Sequence, residues 1–146
     1  MHFALRVAIF GAAALVSFPA LAEPIAAVLY KNPQCSCCEA YAAYLEQNGF
    51  KVEVKPTNDL DQMAANAGMP MALEGCHTMI IGDYAFGGLI PVDIVEKVLN
   101  EHPAIAGITL AGMPAGAPGM GGDKAGPFTI YAFTKDGKTP TVYATE

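Results

Sequence analysis

Three of the four cysteines in this chain stand within four residues, Cys35, Cys37 and Cys38 of "NPQCSCCEAY", and the residue pattern changes period at that point. Upstream, "AAVLY" (Ala26 to Tyr30) is a short apolar run closed by the turn-forming "KNPQ", the signature of a buried strand. Downstream, "CCEAYAAYLEQNGF" places Tyr41, Ala42, Leu45 and Phe50 at spacings near three and four, with Gly49 where a C-terminal cap belongs. The thiols are therefore tied to a strand-to-helix turn. In such a turn the first thiol faces free backbone N–H groups and the positive end of the helix dipole, which favour a thiolate. Residues 35 and 38 are about one helical turn apart, so they can form a bridge or grip one ion.

The rest of the cysteine pattern argues against a disulfide scaffold. Residues 1–22 read as a cleavable export signal: Arg6 is the positive start, Val7 to Val16 is apolar, and "ALA" ending at Ala22 is a small-residue cleavage site. The apolar core is too short to span a bilayer comfortably, so the working chain is expected to begin at Glu23. An exported chain stapled by disulfides spreads its cysteines along its length, whereas here the fourth, Cys76, stands alone. A bridge between adjacent Cys37 and Cys38 would be strained and would enclose almost nothing. A third thiol beside a dithiol pair invites mispairing, while thiolates within bridging distance can share a soft metal.

Further along, "KVEVKP" (Lys51 to Pro56) alternates like a half-buried strand, and Asp59 can cap a short helix that Gly68 would stop. "TMIIG" and "YAFGG" flank a Gly82–Asp83 turn and predict an antiparallel hairpin. Pro91 opens a helix with Val92, Val95, Val98 and Leu99 along one side. The order strand, helix, strand, helix, strand, strand, helix, with Cys35-x-x-Cys38 at the first strand-to-helix turn, resembles the thioredoxin fold from Ala26 to Glu101. Residues 104–127, rich in Gly, Ala, Pro and Met, are expected to form a loop and neither helix nor strand. "FTIYAFT" and "TVYA" around "KDGK" predict a closing hairpin. The expectation is one α/β domain, residues 23–146: a thioredoxin-like mixed sheet flanked by helices, with an extra C-terminal β-hairpin.

The second half of a site lies in "GCHTM". In the generic thioredoxin-like order, Cys76 and His77 fall just before the third strand, where that fold usually carries a cis-proline screening the two sulfurs. Here no proline stands at that place, and a thiol and an imidazole do. Taken together, "YKNPQCSCCEAYAAYLEQNGFKVEV", "GCHTMIIGDYAFGGLIPVDIVEKVL" and "AGMPAGAPGM" resemble the CopG-like periplasmic copper-resistance family, long described as a metal-binding domain of unknown function. That resemblance implies a periplasmic protein with a thioredoxin-like fold. It also implies copper bound through Cys35, Cys37, Cys38 and Cys76, with His77 as their neighbour, and other periplasmic copper-handling proteins as partners.

Donor chemistry agrees, because thiolates and thioethers prefer Cu(I), and the chain has seven methionines and no tryptophan. Met113 and Met120, in the glycine-rich loop, are the most ligand-like of these, although a methionine is more often a gap-filler. Met69, Met71 and Met79 are expected in the core. Eight basic residues against 14 acidic ones give a net charge of −6, which excludes the basic patches that nucleic acid and anionic membranes require. Three readings stay open at this level. They are a copper-binding protein that sequesters or passes on copper, with cycling between Cu(I) and Cu(II) as an extension; an exported thiol-disulfide oxidoreductase; and a small module with a structural zinc held by Cys3His.

Overall fold

The computed structural model describes residues 22–146; the expected export signal lies outside the described residues except for its last position. β1 (Ile25–Lys31) points Ala27, Leu29 and Lys31 inward, the period of a strand covered on one face. Cys35 then occupies the N-cap of α1 (Ser36–Gln47), whose buried stripe is Cys38, Tyr41, Ala42 and Leu45. The helix ends at Asn48, and Gly49 follows at φ 87°, the left-handed conformation that glycine adopts without strain. β2 (Phe50–Pro56) returns parallel to β1. α2 (Leu60–Asn66) starts after Asp59, which holds the N-cap position without making the side-chain cap bond that its identity suggests.

β3 (His77–Ile81) and β4 (Tyr84–Gly87) form the expected hairpin about Gly82 and Asp83, and α3 (Val92–Glu101) follows Pro91. His77 opens β3 instead of preceding it. The sheet continues through β5 (Gly107–Thr109), β6 (Thr129–Phe133) and β7 (Thr141–Thr145). Its seven strands run in the order β2-β1-β3-β4-β5-β6-β7, parallel at β1/β2 and β4/β5 and antiparallel elsewhere. The fold is thus α/β with a mixed sheet, and its first four strands are compatible with a thioredoxin-like arrangement.

Two departures from the sequence expectation have physical causes. β5 lies inside the stretch expected to be loop. Three residues are too few to show a period of two, and "GIT" becomes a strand because β4 and β6 offer partners on both sides. Gly107 permits this, since a Cβ there would strike the Ala85 carbonyl on β4. Met71, expected in the core with Met69 and Met79, is instead 85% exposed on a single 3-10 turn, while the other two are buried. The closing hairpin, β6–β7, joins the sheet through β5. Among the described residues no helix is long and apolar enough to cross a membrane.

Tyr41 ties the helices together and backs the site. It is fully buried, its hydroxyl donates to the Ile90 carbonyl at 2.9 Å, and its ring packs against Tyr44 and His77 at centroid distances of 6.0 and 5.3 Å. The Tyr44 hydroxyl in turn accepts the Val92 N–H at 2.9 Å, so α1 holds the start of α3 at two points. Tyr41→Phe leaves the ring packing and strands the Ile90 carbonyl. It is expected to lower stability by about 1–3 kcal/mol, read as a shifted midpoint in urea denaturation with unchanged slope.

Candidate metal centre

The cysteine turn and the start of β3 are brought together by strand pairing. β1 and β3 are antiparallel with Lys31 opposite His77, and the Asn32 N–H donates to the Cys76 carbonyl at 3.0 Å. Cys76, 41 residues away from Cys35 in sequence, is thereby set against the first turn of α1. Its Sγ lies 2.7 Å from that of Cys35, 3.1 Å from that of Cys38 and 3.7 Å from that of Cys37. Cys37 and Cys35 sulfurs are 3.2 Å apart, and all four sulfurs fall within 4.8 Å of one another. Cys35 and Cys38 are joined as a disulfide with Cα atoms 5.6 Å apart; Cys37 and Cys76 are free thiols. Of the two uses open to this pair from spacing, the structure shows the bridge. The Cys35 sulfur makes no capping bond to the helix N–H groups, contrary to expectation, because it is joined to Cys38.

His77 is 1% exposed, with Nδ1 3.5 Å from the Cys38 sulfur and, among the described residues, no hydrogen-bond partner for Nε2. Burial pushes its imidazole down to about 4, opposed in part by the Gly88 backbone, so the ring is neutral at neutral pH and has a nitrogen lone pair free. The Cys76 thiol is pushed up to about 11. Burial is the main cause, then the hydrogen bond and charge of Cys37, with its own backbone and the Lys31 charge opposing. A metal taken up here must therefore displace a proton from that sulfur.

Met113 is brought into the cluster, and Met120 is not. The Met113 sulfur lies 3.3 Å from Cys76 Sγ and 3.8 Å from Cys37 Sγ. Its backbone sits at φ 44°, an uncommon conformation for a residue with a Cβ, and one that persists only where the surroundings impose it. Met120 is half-buried against the core and makes no sulfur contact among the described residues. Its neighbour Gly119 brings the loop onto α1, where a Cβ would lie 2.9 Å from Tyr41 N and 3.0 Å from the Cys37 oxygen.

The sulfurs open to solvent through a cavity of about 340 Å³ in which Cys35, Cys37, Cys76 and Met113 are rimmed by Asn32, Gln34 and Ser36. Sequence motifs pass over one further neighbour, Lys31. Its side chain is buried beside the turn, with the Nζ donating to the Cys35 carbonyl and to Glu39 Oε1, each at 3.0 Å. The available clue is its phase, since residue 31 continues the inward series of Ala27 and Leu29.

A mixed α/β sheet that gathers four cysteine sulfurs, a buried imidazole and a thioether at one helix start defines a protein with a cysteine cluster able to hold a metal ion. Comparison with known proteins narrows that class. The family described as "Protein of unknown function, DUF411" matches residues 73–120. Two solved structures, "Copper resistance protein copG- Form 2" and its Form 1, are 31% identical to this chain and superpose with a TM-score of 0.77. Each comparison covers 85% of this chain, and 99% and 98% of the respective structures. No curated protein matches. The chain belongs to the CopG-like copper-resistance family.

Proposed function

We propose that this chain is an exported, periplasmic copper-binding protein of copper resistance and homeostasis. Copper is its cargo, taken as Cu(I) by Cys35, Cys37, Cys38 and Cys76, with His77 and Met113 completing the donor set. The observation that carries this reading is the meeting of four cysteine sulfurs within 4.8 Å beside a solvent-open cavity. Soft thiolate and thioether donors select Cu(I), and several of them close together can bridge neighbouring ions. Met120, without a sulfur contact, stands outside the proposed set. The copper named in the two similar structures supports the choice of metal. Other copper-handling proteins of the same compartment are the natural donors and acceptors for the cargo.

Reduced protein is expected to draw Cu(I) from a colorimetric chelator under anaerobic competition and to hold it in preference to zinc. Full retention of copper by the chelator, with zinc bound tightly by the protein, would replace this reading with a structural zinc module. The Cys35–Cys38 bridge favours a second reading, thiol-disulfide exchange with other exported proteins. Against it stand two further thiols within 3.7 Å of the bridge, which would divert any mixed disulfide.

A further inference from the structure

We propose that Met113 is a gate: its thioether caps the cysteine cluster in the conformation seen here, and a hinge at residues 111–113 swings it off so that an outside donor can reach the sulfurs. The part the gate plays in copper transfer rests on the copper-binding reading above; the hinge itself does not.

The chain on either side of Met113 is fixed. Leu110, directly after β5, is buried and its N–H donates to the Gly87 carbonyl at 2.9 Å. Downstream, the Pro114 carbonyl accepts the Ala117 N–H at 3.1 Å, and Ala117 is buried. Between these points, among the described residues, no backbone–backbone hydrogen bond holds Ala111, Gly112 or Met113. Gly112 stands at φ 85° with open space where a Cβ would lie, so nothing obstructs its rotation. Unbonded backbone between two anchored ends is what a hinge requires.

Met113 itself is strained in the closed position. Its φ of 44° lies in the left-handed region that a side chain disfavours, and Pro114, the next residue, presses it further toward extended backbone. What opposes the strain is sulfur contact: the Cys76 and Cys37 thiols lie 3.3 and 3.8 Å from the Met113 sulfur, a weak acceptor. Strain of this kind shifts an equilibrium roughly tenfold, so weak contacts leave the open form populated in metal-free protein. A thioether–Cu(I) bond is the stronger partner, and copper therefore closes the gate. Met113 also forms one wall of the cavity through which Cys35, Cys37 and Cys76 meet solvent, so its departure widens the approach to the two free thiols. Copper then leaves by exchange of donors. One copper–thioether bond breaks and one to the acceptor's donor atom forms, with no electron or proton transferred.

The test compares the wild type with Pro114→Ala, Gly112→Ala and Met113→Leu, and with each of the first two combined with Met113→Leu. Pro114→Ala relaxes the crowding on Met113 and keeps the thioether, so it favours the closed form. Alanine at position 112 resists φ 85° and favours the open one. The first readout needs no copper: NMR of carbon-13-labelled methionine methyl groups in metal-free protein, the Met113 signal being identified by its loss in Met113→Leu. That signal is expected to move in opposite directions in Pro114→Ala and Gly112→Ala, in the latter toward the position of exposed Met71. The second readout is the rate at which Cu(I) passes to excess chelator. It should be about fivefold slower in Pro114→Ala and about fivefold faster in Gly112→Ala. Met113→Leu should be faster still, and adding either loop change to it should alter nothing, because the thioether of the gate is already gone. Loop changes whose effects persist in Met113→Leu would show a static cap acting through packing, and that result overturns the proposal. So does a Met113 signal that stays in place in both loop variants. If Gly112→Ala fails to fold by circular dichroism, Pro114→Ala decides by the same two readouts. A wild type that binds no copper refutes the copper reading, and the methyl signals then decide the hinge by themselves.

Discussion

Reduced protein is expected to take up more than one Cu(I) per chain, and protein with the Cys35–Cys38 bridge intact no more than one. The bridge removes two of the four sulfurs from the anionic donor set, because a disulfide sulfur is not a thiolate. What remains is Cys37 and Cys76, 3.7 Å apart, with the Met113 thioether beside both. Two thiols and a thioether suffice for a single low-coordinate ion. Opening the bridge restores four mutually close sulfurs whose spare lone pairs can be shared between ions. Native mass spectrometry before and after reduction reads the stoichiometry directly. A maximum of one copper in both states, or a count indifferent to the thiol state, would show that the crowding of the sulfurs does not serve a shared site.

The largest single-residue effect is expected at Cys76. Its sulfur lies within 3.7 Å of all three others and 3.3 Å from that of Met113, so it is the thiolate that joins the two halves of the site. Cys76→Ser should weaken Cu(I) binding by at least about 100-fold, since loss of mere supporting contacts around a metal already costs about 10–100-fold. The side chain is half-buried and nearly isosteric with serine, so the fold should persist, which circular dichroism would check. Cys37→Ser should also lower copper capacity with the fold intact. Under thiol-disulfide exchange through the Cys35–Cys38 pair alone, Cys37 would be dispensable. Unchanged copper stoichiometry in Cys37→Ser together with a full rate of disulfide reduction would therefore favour the oxidoreductase reading.

Features that depend on residues close together in the chain were legible without coordinates. The period change at Cys35 marks a real strand-to-helix junction, and the stripe Tyr41, Ala42 and Leu45 is the buried face of α1. Gly82 and Asp83 turn a real hairpin, and "KDGK" joins the last two strands. Spacing alone places Cys35, Cys37 and Cys38 together, whereas setting Cys76 against them rests on the resemblance to the thioredoxin fold and the copper-resistance family.

Other features rest on contacts between distant segments, and local pattern holds no record of them. β5 exists because β4 and β6 pair with it, and no period can be read from three residues. Met113 and Met120 were equivalent as letters in one glycine-rich loop. They part because the left-handed backbone at Met113 brings its sulfur to Cys76, while Gly119 settles the chain at Met120 onto α1. Lys31 is only the first letter of the turn-forming "KNPQ" until that turn is seen folded over its ammonium. The sequence by itself determined that Cys35, Cys37 and Cys38 meet at one helix start, because helical and strand periods are local properties of the backbone. Only the tertiary structure decided which thioether, imidazole and buried charge surround them, because those neighbours are chosen by close packing between segments that lie far apart in the chain.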